Sequence, residues 1–278
     1  MNFYEFIRTA LEEDIQEGDH STLACIDADK KGKAILKIKE DGILAGVEMA
    51  QQIFCYIEPE STITIFKKDG DEVCAGDIAF EVNAKVHTIL KAERLVLNIM
   101  QRMSGIATLT NQYVKKISEF PAKVLDTRKT TPNFRWFEKR AVVLGGGHNH
   151  RFGLYDMIML KDNHIDYAGG IERAIDKTVN YLKATNRSLK IEVEARSIDD
   201  VKAIIAHGGV DRIMLDNFSP ETLAEALQLI DHKVETEASG GITLDTIVNF
   251  ARTGVDFISA GAIIHHAVSM DLSLKALK

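Results

Sequence analysis

The sequence predicts an α/β protein in two parts, the second of them a parallel β/α barrel. Three observations carry this. From Gly105 onward short apolar stretches recur, each closing on a polar or glycine-rich turn and followed by a segment with helical spacing. Strands alternating with helices at this pitch build a parallel sheet. The stretch ends are rich in charge, as expected of a barrel, which gathers its functional groups at the C-terminal ends of several strands. The first hundred residues lack the alternation and read as helices mixed with half-buried strands.

Residues 2–13 have the apolar spacing of a helix. Lys33–Lys39 and Thr62–Phe66 alternate like half-buried strands, and Gly70-Asp71 and Gly76-Asp77 bracket another short strand. From Val86 to Met103 the apolar positions 86, 89, 90, 96, 97, 100 and 103 follow helical spacing, in a helix that carries Glu93, Arg94 and Asn98. Ser104-Gly105 is expected to break that helix, dividing the chain into 1–104 and 105–278. The later strands are expected to end at LDTRK (125–129), MLKDNH (159–164), EVEAR (192–196), MLDN (214–217), EASGG (237–241) and ISAGA (258–262). Helical stretches such as IERAIDKTVNYL and LAEALQLI lie between them. A doubly wound sheet fits the same alternation. The glycine-rich ends of the last two strands favour the barrel, which commonly holds a phosphate there on backbone N–H groups.

Composition sets the frame for function. The 278 residues are 45% apolar, enough for one large or two modest cores, and the net charge is −7. An acidic chain is a poor partner for nucleic acid or an anionic membrane, so its local basic clusters are informative. No apolar run reaches the length of about 18 residues that marks a membrane span. The N-terminal stretch MNFYEFIRTALEED carries acids among its apolar residues, unlike a secretory leader. Cys25, Cys55 and Cys74 show no paired or metal-ligand spacing and read as buried, reduced thiols of a cytoplasmic protein.

Arg128-Lys129, His150-Arg151 and Lys161 follow apolar runs. Each alone reads as a surface charge. Gathered on one face they repel one another, which is tolerable when an anion is bound. Arg suits a planar carboxylate through its two-pronged fork, whereas Lys acts as a point charge. Glu194 and Asp216 end successive strands and suit Mg²⁺ or sugar hydroxyls; pairing with a nearby Lys or Arg is the simpler alternative. Ser239-Gly240-Gly241 and Ser259-Ala260-Gly261, with His265 just beyond, suit a phosphate cradle. His148-Asn149-His150 has zinc-like spacing, but Arg151 beside it disfavours a dication. His164 reads as structural or hydrogen-bonded to substrate.

These motifs together resemble the quinolinate phosphoribosyltransferase family. EDIQEGDHST, KEDGILAGV, GDEVCAGD and KAERLVLNIMQRMSGIAT look like its N-terminal half. DTRKTTPNFRWFEKRAV, GGGHNHRFGLYDMIMLKDNHI, IEVEARS, IMLDNFSP, EASGGI and DFISAGAI look like its barrel half, and the resemblance covers nearly the whole chain. It implies an N-terminal α/β sandwich plus a C-terminal open α/β barrel, with the C-terminal tail packed on the N-terminal part. It implies transfer of phosphoribosyl from phosphoribosyl pyrophosphate to quinolinate with decarboxylation, and Mg²⁺ as cofactor. It implies a cytoplasmic homodimer with shared active sites.

The residue roles implied by the resemblance are as follows. Arg128, His150, Arg151 and Lys161 would hold quinolinate, with Thr127 also at the substrate. Lys129, Glu194 and Asp216 would handle the ribose and Mg-pyrophosphate end, and Lys129, Lys161, Glu194 and Asp216 form the expected catalytic set. Ser239, Gly240, Gly241, Gly261 and His265 would cradle the 5′-phosphate. Arg94 and Lys39 would reach the partner subunit's site. Three positions depart from the pattern: His148 where many relatives have Arg, Asn133 where Gly is common, and Lys39 where Arg is common. The competing expectations are a related phosphoribosyltransferase acting on another heterocycle, a non-catalytic barrel that binds a phosphorylated metabolite, and a zinc hydrolase.

Overall fold

The computed structural model describes residues 3–277. Its first elements are α1 (Phe3–Ile15), α2 (His20–Cys25), β1 (Lys31–Ile38), β2 (Gly42–Ile43), α3 (Val47–Ile57), β3 (Thr62–Ile65), β4 (Glu72–Val73), β5 (Ile78–Lys85) and the long helix α4 (Val86–Lys116). Then come β6 (Lys123–Leu125), α5 (Arg135–Leu144), β7 (Ile158–Leu160), α6 (Asp162–Ala168), α7 (Ile171–Thr185), β8 (Ile191–Ala195), α8 (Ile198–His207), β9 (Arg212–Asp216) and α9 (Pro220–Ile230). The chain closes with β10 (Glu235–Ser239), α10 (Ile247–Ala251), β11 (Phe257–Ser259), α11 (Ala262–His265) and β12 (Leu272–Leu277). Asn2, the first residue of the expected N-terminal helix, lies outside the described residues.

The chain forms two compact units. One comprises the residues up to Asn111, Thr131–Gly146 and those from His266 on; the other comprises Gln112–Thr130 and Gly147–His265. In the first unit an antiparallel sheet has the order β12-β1-β5-β3, so the end of the chain pairs with β1, Lys33 opposite Leu277 through Ile38 opposite Leu272. Alternation along β1 buries Ala34, Leu36 and Ile38 and leaves Lys33 and Lys37 exposed, which gives the sheet one apolar face. Leu36, Ile53, Phe54, Phe80, Val82, Met100 and Met103 are fully buried. Each such side chain contributes about 1.5–3 kcal/mol relative to its exposed state.

Helix α4 does not break at Ser104-Gly105, contrary to expectation. Ser104 Oγ accepts the Ala45 N–H at 2.9 Å and donates to the Ala45 carbonyl at 3.2 Å. Gly105 lies so close to the Val268 carbonyl that a Cβ there would collide with it. The small pair is thus a site of close packing. The contact offsets the roughly 1 kcal/mol that glycine costs inside a helix.

In the second unit six parallel strands have the order β6-β11-β10-β9-β8-β7. Strands β7 to β11 neighbour one another in sequence order, and the first strand, β6, lies beside the last. That is barrel order, and it excludes the doubly wound alternative, whose strand order reverses at a switch point. His148 extends the order by an isolated parallel bridge to Leu125. The barrel is open, since no strand pairing joins β7 to β6 or to His148 among the described residues. Ser197 caps α8 by accepting the Asp200 N–H; Ser219 caps α9 in the same way on Thr222, with Pro220 in the first turn. Val193, Ile213, Leu215, Ala238 and Ile258 are buried, as are Val201, Ile204, Leu223 and Ile247 of the helices. The alternate strand positions carry charge and form the inner face.

No helix among the described residues is long and apolar enough to cross a membrane. The three cysteines are free but exposed, which corrects the expectation of buried thiols. Polar neighbours explain it: Cys25 and Cys55 lie on outward helix faces and Cys74 in a turn.

Candidate active site

The inner face of the second unit is layered by the period-two geometry of its strands. Glu194 (β8), Asp216 (β9) and Ser239 (β10) stand at the C-terminal ends of their strands, with Ser239 in register with Asp216 and Glu194 opposite Met214. Two residues before Glu194 and Ser239 lie Glu192 and Glu237, and Arg212 lies at the start of β9. Lys161 follows β7 directly, and its Nζ is 3.6 Å from Glu194 Oε2. Its backbone N–H donates to His164 Nδ1 at 3.1 Å, so His164 has the structural role expected as one of its two readings. Burial pushes the Glu194 carboxyl up; the Lys161 charge pulls it down, and Asp216 and Asp162 push it up again. The balance is upward, the signature of a carboxylate short of positive charge.

The chain after β6 supplies the cations. Asp126 is fully buried, and its Oδ1 accepts the His150 N–H at 2.8 Å. This ties the LDTRK turn to the HNHR segment and brings Arg128 and Arg151 under each other's influence. Burial, and then the Arg128 charge, depress the pKa of Arg151. Arg128 Nε is buried with no hydrogen-bond partner among the described residues. Two guanidinium groups of one sign, one with an unused donor, form a cation pair that a carboxylate would satisfy. Thr127 Oγ1 accepts the Lys129 N–H at 3.1 Å. The Lys129 side chain runs past Gly261, where a Cβ would stand 3.1 Å from Lys129 Cδ and 3.0 Å from His265 Nε2. Lys129, expected at the ribose and pyrophosphate end, therefore lies against Gly261 and His265 of the expected phosphate cradle. Gly240 and Gly241 have φ of +101° and +62°, backbone states that favour glycine, and a Cβ on Gly240 would collide with Asn217.

The structure places His150 deeper than the sequence suggested. Its side chain is only 5% exposed, with Nε2 3.0 Å from Glu192 and 3.3 Å from Glu237. Its Nδ1 accepts the Arg151 N–H at 2.6 Å. Arg212 Nη1 donates to Glu237 at 3.0 Å and Nη2 to Glu235 at 3.0 Å. Burial opposes a charged imidazole, but hydrogen bonds to Glu192 and Glu237 and their charges outweigh it and push its pKa up to about 9. That pull requires both carboxylates to be ionised. Burial and the neighbouring Glu237 push Glu192 up, so it gives up its charge first, while Glu237 keeps its own beside His150 and Arg212.

Other expectations change in detail. His148 and His150 follow helix α5 and three glycines, not an apolar strand. Among the described residues the side chains that converge closely enough to share an ion are His150, Glu192 and Glu237, and His148 is not with them. Asn133 has φ of 62°, the left-handed state that Asn tolerates in place of Gly. Arg94 and Lys39 belong to the first unit. Arg94 lines a cavity of about 460 Å³ with Glu13, Asp14, Asn98 and Arg102, and Lys39 pairs with Asp271 at 3.6 Å. Sequence reading missed Glu192, Glu237, Arg212 and Asn217. The signal lay in charges two or four residues apart, Glu192 and Glu194 in IEVEA, Arg212 and Asp216 in RIMLD, and Glu235 and Glu237 in ETEAS, which fall on one face of strands that otherwise read as buried.

The descriptions "Quinolinate phosphoribosyl transferase, N-terminal domain" and "C-terminal domain" match residues 19–104 and 106–275. The chain belongs to the quinolinate phosphoribosyltransferase family. The chloroplastic nicotinate-nucleotide pyrophosphorylase [carboxylating] of Arabidopsis thaliana is 43% identical over 284 residues, covering 97% of this chain and 81% of the relative. A probable nicotinate-nucleotide pyrophosphorylase [carboxylating] of Bacillus subtilis is 41% identical, covering 94% and 89%. The crystal structure of NadC from Streptococcus pyogenes superposes with a TM-score of 0.93 at 40% identity, covering 99% of this chain and 97% of that one. For this family member the mixed α/β fold, with an antiparallel sheet in the first unit and a six-stranded open barrel in the second, agrees with the sequence expectation.

Proposed function

We propose that this family member transfers the phosphoribosyl group of phosphoribosyl pyrophosphate to quinolinate and releases pyrophosphate and carbon dioxide, leaving nicotinate mononucleotide. The observation that carries the reading is the Arg128–Arg151 cation pair with its unused buried donor, in the same barrel as the Lys161–Glu194–Asp216 cluster. Quinolinate is a planar dicarboxylate, and two guanidinium forks match two carboxylates. Arg128, Arg151 and Lys161 hold it so that the ring nitrogen faces the anomeric carbon of the ribose. The C–N bond forms as the bond to pyrophosphate breaks, and negative charge grows on the leaving group. Lys129 would neutralise that charge. It lies against Gly261 and His265, which in this reading cradle the 5′-phosphate together with Ser239, Gly240 and Gly241. N-ribosylation makes the ring a pyridinium, which takes up the electron pair left when the 2-carboxylate departs as carbon dioxide; a proton then replaces it on carbon. Fixed placement of the two substrates supplies much of the rate.

Mg²⁺ fits the donor set of Glu194 and Asp216, two carboxylates at neighbouring strand ends. These residues would hold it together with pyrophosphate oxygens, which suits a cation that prefers few protein ligands, and it would supply charge neutralisation. The enzyme works as a homodimer in the cytoplasm under this reading, with Arg94 and Lys39 serving the partner's site. The test is turnover by purified protein with Mg²⁺. Nicotinate mononucleotide and carbon dioxide should form in equal amounts from quinolinate. Equal turnover of nicotinate, which lacks the second carboxylate, would sink the reading.

A further inference from the structure

The inner face beneath the site holds a buried ionic cluster that the reaction above does not use. Glu192 and Glu237 are fully buried and Arg212 nearly so. The ligand atoms of His150, Glu192 and Glu237 lie within 4.8 Å of one another. A metal there is disfavoured by Arg212, whose Nη1 already sits 3.0 Å from Glu237 and 4.0 Å from Glu192 as the local cation. Stability alone is a weak reason for such a cluster. Desolvating buried ion pairs costs as much as their attraction returns, and well-packed apolar side chains often replace them without loss.

The geometry suggests another reason. The two carboxylates converge on one atom, His150 Nε2, from β8 and β10. Each lies two residues before a residue at the C-terminal end of its strand, Glu194 or Ser239, about 7 Å along that strand. The opposite edge of the imidazole grips the Arg151 N–H. The backbone of His150 is held in turn by Asp126, two residues before Arg128. The ring is thus a strut between the carboxylate pair and the two arginines. Its Nε2 faces the two carboxylates and its Nδ1 faces the Arg151 N–H, so whatever orients the ring also sets the backbone at Arg151.

We propose that Glu192 and Glu237 are positioning residues for substrate binding: they fix the His150 ring and through it the backbone at Arg151, so that Arg151 and Arg128 meet the dicarboxylate in one geometry. This rests on the reading of the site as one for quinolinate. It assigns Glu192 and Glu237 to the heterocycle end of the reaction alone.

The test compares KM for quinolinate with KM for phosphoribosyl pyrophosphate in Glu192→Gln, Glu237→Gln, His150→Gln, the double variant Glu237→Gln/His150→Gln, and Glu235→Gln. Glu235 bonds the same Arg212 but does not touch His150, so it reports a purely structural effect. The first three should raise the quinolinate KM about tenfold to a hundredfold, the worth of a charge-assisted contact, and leave the other KM unchanged. The double variant should be no worse than His150→Gln, because residues acting in series do not add. Glu235→Gln should lower the thermal midpoint and leave both KM values alone. Additive effects, equal shifts of both KM values, or a quinolinate shift in Glu235→Gln would overturn the proposal. If the Glu192 and Glu237 variants fail to fold, His150→Gln decides alone, and an unchanged quinolinate KM overturns it. Wild-type protein that does not turn over quinolinate would instead overturn the reading beneath, so the two failures are told apart.

Discussion

Lys161 Nζ stands 3.6 Å from Glu194 Oε2, where two neighbouring strands of the barrel end. The lysine side chain is 48% exposed, so the pair is worth at most about 1 kcal/mol to stability. Lys161→Met should therefore move the thermal midpoint by no more than about 4 °C. It should lower kcat/KM about tenfold to a hundredfold if the ammonium serves the substrates. Calorimetry and steady-state kinetics on the same preparation check both halves. A large loss of stability without loss of activity would make Lys161 structural.

Arg128→Ala and Arg151→Ala should each weaken quinolinate by roughly 1.5–3 kcal/mol, about tenfold to a hundredfold, and affect phosphoribosyl pyrophosphate far less. Binding titrations with each substrate separately measure the split. Equal effects on both would show that the two arginines do not define the heterocycle end.

The alternation of apolar strands and helices after Gly105 made the barrel legible, because each strand turned polar where it ended. Lys161, Glu194, Asp216 and the glycine turns were readable for the same reason. The layer beneath was not. Glu192 and Glu237 sit inside strands, where sequence shows a charge but not the partner that lets it be buried. Partners such as Arg212 and His150 come from other strands and loops. Ser104-Gly105 misled for a related reason: a small pair inside an apolar helix marks either a break or a close approach, and only the position of Ala45 and Val268 decides.

Glu138 is fully buried and binds Arg102 through Nε at 3.0 Å and Nη2 at 2.9 Å. It also accepts the Thr131 N–H at 2.8 Å. Glu138→Ala strands the partly buried arginine and that amide, which should cost about 3 kcal/mol and roughly 6–12 °C in the thermal midpoint. Glu138→Gln keeps an acceptor and should lose less. Thermal unfolding of both variants decides; equal losses would show that packing, not the ion pair, sets the cost.

Burial pushes the Glu235 carboxyl up, but hydrogen bonds from Arg212 and Lys190 outweigh it and hold it below the usual 4.5. A carboxyl depressed in the folded state adds stability that is fully present above the unfolded value and is lost as pH falls through the folded one. Urea midpoints should therefore fall more steeply below pH 4.5 in the wild type than in Glu235→Gln, and the gap between the two proteins should close with acidification. Parallel curves would mean that Glu235 titrates alike in both states.

Arg94 is exposed on α4 and lines the cavity that also holds Glu13 and Asp14. In the simple reading it is an ordinary helix charge, and Arg94→Ala changes stability slightly and activity little. The proposed homodimer makes a different demand, since Arg94 would then serve quinolinate bound in the partner's barrel. Arg94→Ala and Lys161→Ala should each be nearly inactive alone. Mixed together they should regain activity, because one of the two sites in a mixed dimer contains both residues intact. Random mixing makes about half of the dimers mixed, and each carries one good site of two, so roughly a quarter of wild-type activity should return. Co-purification of two differently tagged chains establishes that subunits exchange under the assay conditions. Proven exchange without recovered activity would confine Arg94 to its own subunit.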